Sequence, residues 1–166
     1  GDFRSIVLKE INRINELVHG LLDFARPRKS STADTDLHAV IERALTLLDN
    51  QMRKQNVEVV RRYQEDIEPV SADPEQLFQV FFNLLQNAMH AMNGATRRIT
   101  ISSWSDPDGG TGQPALHLAI ADTGIGIEKN QLTSIFDPFF STKDNGSGLG
   151  LAICHSILND HDASID

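Results

Sequence analysis

Two asparagines lie four residues apart in the otherwise apolar stretch Val80–Ala88. If this stretch is helical, Asn83 and Asn87 share one face, because positions i and i+4 are neighbours on a helix. Asparagine is a mediocre helix former, so two of them in mid-helix need a reason. An amide oxygen is a hard, neutral ligand that suits Mg²⁺, which usually keeps waters and substrate phosphates in its shell as well. The pair predicts a magnesium–phosphate site, with solvent-facing or core-bridging amides as the alternative.

A second candidate is the pentapeptide Asp122-Thr-Gly-Ile-Gly126, which directly follows a predicted strand. A carboxylate at a strand end can accept a hydrogen bond from the exocyclic amine of adenine, which guanine does not offer at that edge. Gly124 and Gly126 would let the backbone approach a flat base closely. The alternative is an ordinary Asp-Gly turn.

The third candidate is the glycine-rich run Gly146-Ser-Gly-Leu-Gly-Leu151, which opens the last predicted helix. Consecutive backbone N–H groups at a helix start form an anion site, and the helix dipole strengthens it. The run is not a Walker A loop, because the Gly-Lys-Ser/Thr ending is absent. Nor is it a dinucleotide fingerprint, because the third glycine is misplaced and no strand immediately precedes it. Taken alone, a glycine cluster is a weak indication.

The elements that must position these residues follow from periodicity and capping. Asp36 is a helix cap and predicts a helix over 37–54, and Asp73-Pro74-Glu75-Gln76 predicts another that runs to about Met92. Further expected elements are strands at 57–63, 69–72, 99–104 and 116–121, a short polar helix before Phe136, a last helix over 149–158, and the start of a strand at 164–166. Helices and strands that alternate in this way predict a two-layer α/β arrangement.

The opening segment, residues 1–26, predicts one long helix. Its apolar residues recur at alternating steps of four and three, as in a heptad seam, and others widen the stripe as expected for a helix bundle. Pro27 ends the helix, and the polar, serine-rich stretch that follows predicts a linker over 27–36. We interpret residues 1–26 as a separate dimerisation element, with an ordinary amphipathic core helix as the alternative.

Composition narrows the class of partner. The net charge is −8, and residues 63–166 carry 14 acidic against 4 basic side chains, which argues against nucleic acid as a partner. The single cysteine excludes an internal disulfide and fits a reducing compartment. No apolar run approaches the roughly 20 residues that cross a bilayer. We expect a cytoplasmic portion, compatible with a membrane anchor elsewhere in a longer chain.

Order and spacing add what the single motifs lack. Asn83–Ala88 resembles the N box of sensor histidine kinases, Asp122–Gly126 their G1 box, Phe136–Phe140 their F box and Gly146–Leu151 their G2 box. The Phe-Ser-Thr-Lys sequence at 140–143 and the short lid resemble the nitrogen-regulator subfamily. The resemblance implies the Bergerat ATP-binding fold, a mixed sheet under about three helices, and places the catalytic ATP-binding domain at 37–166. It also implies that 1–26 is the second helix of the dimerisation and phosphotransfer hairpin.

The same resemblance implies a role for each matching residue. The cofactors are ATP and Mg²⁺. Asn87 is the implied metal ligand, and Asn83 supports the metal–phosphate site. Asp122 is implied to read the adenine amine. The implied nucleotide contacts also include Gly124, Gly126, Thr142, Lys143, Gly146, Ser147, Gly148, Leu149 and Gly150. Lys143 is equally compatible with a solvated lysine.

For three further residues, His90, Phe136 and Phe139, a contact with the nucleotide and a structural role are both considered. His90 lies three residues beyond Asn87 on the same face, and relatives carry a γ-phosphate contact there, although a surface or core histidine is favoured. Phe136 and Phe139 are expected to be packing residues that anchor the lid rather than ligand contacts.

The acceptor of the phosphoryl group is expected outside this chain. The family's histidine sits on the first hairpin helix beside an acidic residue and near a proline, and none of the six histidines has that context. We therefore expect the chain to start after the acceptor, to end before the family's final strands, and to bind ATP without phosphorylating itself. The implied partners are the acceptor histidine of a full-length homodimer and a response regulator receiver domain.

Two rival functions remain at this point. ATP-hydrolysing relatives such as gyrase and Hsp90 carry a glutamate at the position of Asn83, where it activates water as a general base. Asn83 cannot take a proton, which favours transfer to an imidazole. A degenerate module that binds nucleotide without turnover is the second rival.

Overall fold

A computed structural model describes Val7, Ile11 and residues 31–107, 114–143 and 146–166. The chain divides into two compact units, residues 31–126 and a unit that contains residues 127–166. Val7 and Ile11 are helical and exposed; the rest of the predicted opening helix, 1–26, lies outside the described residues. Within the described part of the chain, no helix has the length and apolar character needed to cross a membrane.

Helix α1, Leu37–Lys54, begins where the cap predicts. The Asp36 carboxylate accepts hydrogen bonds from the backbone N–H of His38 (2.8 Å) and of Ala39 (3.2 Å), which satisfies two of the free donors of the first turn. The last turn is basic, which complements the helix dipole. The buried side of α1 is apolar: Val40, Ile41, Ala44, Leu45, Leu48 and Met52.

Helix α2, Pro74–Ala91, is capped by Asp73 and has Pro74 in its first turn. Proline suits that position, because its fixed φ matches a helix and its missing N–H would have no partner there. The helix ends before Met92, which has extended backbone. One face of α2 supplies much of the core of this unit: Leu77, Val80, Phe81, Leu85, Ala88 and Met89.

A mixed sheet of three strands lies beside these helices. The strands are β2 (Glu58–Tyr63), β4 (Arg98–Asp106) and β5 (Ala115–Asp122), in the order β2-β4-β5. Strand β4 pairs parallel with β2 and antiparallel with β5, so the connection between β2 and β4 must cross over through α2. On β4, Ile99 and Ile101 are fully buried. The predicted two-layer α/β arrangement with a mixed sheet is confirmed.

A second, small sheet joins β1 (Ala33–Thr35) to β3 (Val70–Ala72) in antiparallel register. The Thr35 hydroxyl donates to the Ala72 carbonyl at 2.9 Å, and the backbone N–H of Ser31 donates to the Asp73 carboxylate at 3.0 Å. The sequence assigned residues 31–36 to a linker. In the structure this stretch is tied to the start of α2.

A polar cluster connects α1 to the helix-facing side of the sheet. Glu42 accepts hydrogen bonds from Arg61 (2.6 Å) and from the Tyr63 hydroxyl (2.8 Å). The Arg61 hydrogen bond holds the pKa of Glu42 below its usual value against the opposing effect of burial. His38 stacks on the Tyr63 ring at 4.3 Å between centroids, and its Nε2 lies 2.8 Å from the Ser103 hydroxyl. The cluster fixes the first turns of α1 on the sheet.

The second unit contains helix α3, Gly150–Asp160. The short polar helix expected before Phe136 is wrong. Backbone bonds there run from residue 131 to 128, 134 to 131 and 137 to 134, which are separate i to i+3 turns without the i to i+4 ladder of a helix. The strand expected at 164–166 is also wrong, because those residues take part in no sheet ladder among the described residues.

Candidate nucleotide-binding site

The structure confirms that Asn83 and Asn87 lie in the middle of α2, one turn apart. Both side chains are half-buried, so they sit at the margin of the apolar face. His90 follows in the last turn of the same helix and is exposed. An exposed position gives this histidine no role in the apolar core.

The cap of α2 is anchored more firmly than an ordinary cap. The Asp73 carboxylate accepts from the backbone N–H of Glu75 (2.9 Å), of Gln76 (3.2 Å) and of Ser31 (3.0 Å). Burial raises the pKa of Asp73, but these backbone hydrogen bonds together outweigh it, and the pKa lies below its usual value. The helix that carries Asn83 and Asn87 therefore starts from a fixed point.

A tight corner joins the end of β5 to the end of α2. Asp122 is the last residue of β5 and is exposed, and its Oδ1 accepts a hydrogen bond from the backbone N–H of Gly124 at 2.7 Å. Gly124 packs directly on α2, since a Cβ at this position would lie 2.7 Å from the Ala91 Cβ. The N–H of Ile125 donates to the Ala91 carbonyl at 3.1 Å. We call Asp122–Gly126 the base corner.

The two glycines of the base corner are required for different reasons, Gly124 for close packing and Gly126 for its backbone conformation. Gly124 is needed by the close approach of Ala91, whereas the sequence interpretation assigned it to the approach of a base. Gly126 has a φ of +72°, in the left-handed region, and a Cβ there would meet nothing within 4 Å. Gly126 therefore keeps the open space that the sequence predicted for both glycines.

Thr123 is a residue of this corner that sequence reasoning missed. Its hydroxyl donates to the Thr96 carbonyl at 2.9 Å and accepts from the Arg98 N–H at 3.0 Å. Its own N–H donates to the Arg98 carbonyl at 3.1 Å. Thr96 lies 27 residues earlier in the chain, so no local pattern announces the contact.

In the second unit, the glycine-rich run leads into α3 as predicted. The cap position is Leu149, which is in helical conformation and whose own side chain makes no capping hydrogen bond. The Ser147 hydroxyl lies 3.4 Å from the Leu149 N–H. Gly146 is also close-packed, because a Cβ there would collide with the Ser141 hydroxyl.

The F box and the glycine-rich run contact each other through their backbones. The Phe139 N–H donates to the Gly148 carbonyl at 2.9 Å. Both residues are left-handed, with φ of +69° at Phe139 and +68° at Gly148, and a Cβ on Gly148 would collide with the Phe139 backbone. We call Phe139 and Gly148 the left-handed pair.

The two F-box phenylalanines behave differently. Phe136 contacts the His155 ring at 5.3 Å between centroids, as expected for a packing residue. Phe139 is 62% exposed, so the expectation that it packs in the same way is wrong. Its side chain is exposed while its main chain remains bound to Gly148.

Lys143 and Thr142 lie in the exposed segment between these two boxes. The Lys143 N–H donates to the Ser141 hydroxyl at 3.1 Å, and the Gly146 N–H donates to the Lys143 carbonyl at 3.2 Å. Although the side chain is largely exposed, partial desolvation lowers the pKa of the Lys143 ammonium. Thr142 is exposed and available to a ligand from solvent.

The predicted site residues thus form two groups, each organised within its own unit. Residues 31–126 hold the asparagine face and the base corner, and residues 127–166 hold the left-handed pair, Lys143 and the start of α3. In the described ranges, no three His, Cys, Asp or Glu side chains group as a metal site.

Comparison with known families gives one match over more than half of the chain. Residues 72–166 match the family described as histidine kinase-, DNA gyrase B- and HSP90-like ATPases. The signal transduction histidine-protein kinase AtoS of Escherichia coli K12 is 38% identical over 99% of this chain and 26% of its own length. The sensor histidine kinase ZraS of Klebsiella oxytoca is 34% identical over 97% of this chain and 34% of its own. The chain spans about a quarter to a third of these relatives.

Solved structures give the same answer for the fold. The catalytic domain of the histidine kinase ThkA superposes with a TM-score of 0.65 at 30% identity, covering 81% of this chain and 82% of that one. ThkA in complex with the response regulator protein TrrA superposes with a TM-score of 0.76 at 25% identity, covering 98% of this chain and 45% of that one.

Proposed function

The chain belongs to the histidine kinase-, DNA gyrase B- and HSP90-like ATPase family, and from this premise we propose that it is the ATP-binding catalytic part of a two-component sensor histidine kinase. The observation that carries the proposal is the base corner. It holds the Asp122 carboxylate at the end of β5, where the Gly124 N–H donates to it, and the Ile125 N–H donates to the Ala91 carbonyl at the end of α2. Asn87 lies four residues before Ala91, about 6 Å along the helix axis from that junction.

Asp122 is proposed to recognise adenine. Its Oδ1 is held by the Gly124 N–H, which leaves Oδ2 as the acceptor for an exocyclic amine. An anionic acceptor favours the amine of adenine over the carbonyl oxygen that hypoxanthine and guanine present at the same position. Gly126, with open space beside its Cα, is proposed to lie against the base.

Asn87 is proposed to bind Mg²⁺ through its amide oxygen, with Asn83 one turn earlier supporting the same site. The donor set fits the metal, because half-buried amide oxygens are hard, neutral ligands and leave the remaining positions to water and phosphate. When bound, Mg²⁺ would neutralise charge on the β- and γ-phosphates. His90, exposed in the last turn, is a further candidate for a phosphate contact.

The start of α3 is proposed to hold phosphate oxygens. Helix N-termini present backbone N–H groups and a positive dipole end, which together favour an anion. Residues 146–150 supply these amides. The Lys143 ammonium and the Thr142 hydroxyl are proposed to assist, because an anion nearby would favour the charged form of a partly desolvated lysine.

The proposed reaction is in-line transfer of the γ-phosphoryl group to a histidine. Positioning and charge stabilisation dominate such transfers. Asn83 cannot serve as a general base for water, and a neutral imidazole needs none to attack phosphorus. This favours a kinase over an ATP hydrolase.

The wider assembly is part of the proposal. We propose that residues 1–26 belong to the dimerisation hairpin, that the acceptor is a histidine of the full-length homodimer, and that a response regulator receives the phosphoryl group in the cytoplasm. The ThkA complex with TrrA supports a response regulator as partner.

Nucleotide binding is tested first, with the 166-residue chain. Calorimetry and thermal unfolding are compared for ATP and GTP, each with Mg²⁺ and with EDTA. We expect a rise in melting temperature with Mg·ATP, a smaller one without the metal, and little with GTP. Absence of any rise with Mg·ATP would refute the nucleotide site.

Transfer is tested separately by adding the purified dimerisation hairpin of AtoS and γ-labelled ATP. We expect an acid-labile, base-stable label on the hairpin, which identifies phosphohistidine. Phosphate release into solution without a labelled hairpin would indicate an ATP hydrolase, and binding without either product would indicate a module without turnover.

A further inference from the structure

Beyond the last residue pair of the β4–β5 ladder, one further pair forms in which a side-chain hydroxyl makes one of the two hydrogen bonds. The antiparallel register pairs Ile99 with Asp122, so the next pair is Arg98 with Thr123. In a regular hydrogen-bonded pair the two residues exchange both N–H···O=C bonds. Here the Thr123 N–H reaches the Arg98 carbonyl at 3.1 Å, but the Arg98 N–H is received at 3.0 Å by the Thr123 hydroxyl.

The hydroxyl therefore takes the place of the backbone carbonyl of its own residue. A side chain that satisfies a ladder donor allows the backbone to leave the strand without leaving that donor unpaired. The Thr123 hydroxyl also donates to the Thr96 carbonyl at 2.9 Å, which fixes its rotamer. The chain can thus turn away directly after Asp122.

The other side of the base corner is fixed by α2. Gly124 packs on Ala91, and the Ile125 N–H donates to the Ala91 carbonyl. The Asp122 carboxylate is oriented by the Gly124 N–H at 2.7 Å, so its direction depends on where Gly124 sits. Thr123 is the one residue between Asp122 and Gly124, and it is bonded to β4.

We propose that Thr123 is a positioning residue for base recognition, whose hydroxyl sets the direction of the Asp122 carboxylate and thereby the preference for a 6-aminopurine. This inference rests on the proposed function of Asp122 as the adenine acceptor. Thr123 itself makes no contact with the base in this proposal.

The exposure of Thr123 makes the idea testable in a folded protein. The residue is exposed, so water can satisfy the Arg98 N–H and the Thr96 carbonyl once the hydroxyl is gone. A Thr123→Val change keeps the branched shape and removes only the hydroxyl. Melting of the nucleotide-free chain should therefore change little, and Thr123→Ser should restore what valine removes.

The experiment compares Mg·ATP with Mg·ITP, which carries an oxygen where ATP carries the amine. We expect Thr123→Val to weaken ATP binding about fivefold, the size of one net hydrogen bond, and to leave ITP binding unchanged. Equal losses for ATP and ITP would show that Thr123 merely supports the pocket, and would overturn the proposal. So would a valine variant with the ATP/ITP ratio of the parent.

A double-mutant cycle with Asp122→Asn separates the proposed role of Thr123 from the proposed role of Asp122 as the adenine acceptor. If Thr123 acts through Asp122, valine should cause no further loss of ATP affinity in the Asp122→Asn background. Additive losses would refute the coupling while leaving Asp122 as the adenine acceptor. A parent protein that binds ITP as tightly as ATP would instead refute the role of Asp122 and this proposal with it.

Discussion

The base corner and the left-handed pair solve the same problem, a tight turn beside a ligand, by different means. The base corner is bonded to two regular elements, to β4 through Thr123 and to α2 through Ile125. The left-handed pair is held by one backbone bond and by two residues with positive φ. The first turn inherits its shape from the sheet and helix, whereas the second depends on local backbone conformation.

Glycine substitutions should expose this difference most strongly. Gly148→Ala introduces a left-handed alanine, at about 1–2 kcal/mol, and a collision with the Phe139 backbone, at about 1–3 kcal/mol. We expect the free energy of unfolding in urea to fall by about 3 kcal/mol, with loss of Mg·ATP binding. Gly126→Ala is the matched control: it has the same φ but open space, so only about 1 kcal/mol should be lost. Equal losses would mean that the Phe139 contact is unimportant.

A change of charge in the base corner should act on binding and spare stability. Asp122→Asn keeps the shape but loses the anionic acceptor, and we expect ATP to bind roughly 30-fold more weakly, the effect of a charged hydrogen bond. Because Asp122 is exposed, the melting temperature without nucleotide should stay within about 2 °C. Calorimetry with ATP and ITP measures the effect, and a uniform loss for both nucleotides would contradict base recognition.

Substitutions at the two helix caps, Asp73 and Asp36, compare how much each cap stabilises the unit formed by residues 31–126. Asp73→Ala removes a buried cap that also binds Ser31, and we expect about 2 kcal/mol of destabilisation. Asp36→Ala removes an exposed cap with two local bonds, and about 1 kcal/mol should be lost. Chemical denaturation of both variants checks the order, and a reversal would show that the Ser31 bond adds nothing.

The Asp73 contribution should also depend on pH. Its pKa is lowered in the folded protein, so its stabilisation is complete above the unfolded value of about 4 and is lost as the pH falls through the lower folded value. The stability difference between parent and Asp73→Asn should therefore shrink between pH 5 and pH 2. A constant difference across that range would contradict the assignment.

The smallest effect is expected in the exposed segment between Phe139 and Gly148. Lys143→Met should weaken ATP binding two- to fivefold, because an exposed ammonium contributes about 0.5–1 kcal/mol to an ion pair. Its pKa is lowered by desolvation, so a phosphate that arrives at alkaline pH should be accompanied by proton uptake, measurable by calorimetry in buffers of different ionisation enthalpy. Lys129→Met serves as the control and should change neither quantity.

The features that could be predicted from the sequence are those that depend on residues close together along the chain. The two long helices start where Asp36 and Asp73 predict, since capping depends on three or four neighbouring residues. The prediction of a short helix before Phe136 was wrong because this polar stretch has no strong local signal. Its weak periodicity is equally compatible with separate turns. Strand β1 has only three residues, too few for a period to be detected.

The candidate site was predicted by motif, and several contacts around it differ from the prediction. Asn83, Asn87 and Asp122 lie on the elements expected for them. The contacts of Gly124 with Ala91 and of Thr123 with Thr96 join residues 27 or more positions apart. Phe139 is exposed and has a positive φ, which bulky residues rarely adopt. These features depend on tertiary proximity, which a single sequence does not display.

The bond between Ser31 and Asp73 has a mechanical consequence. A flexible loop would absorb a force applied at Ser31. Here such a force acts on the three-residue β1–β3 ladder and, through the Ser31 N–H, on the Asp73 carboxylate. Because the same carboxylate caps α2, the load arrives at the first turn of the helix that carries Asn83 and Asn87.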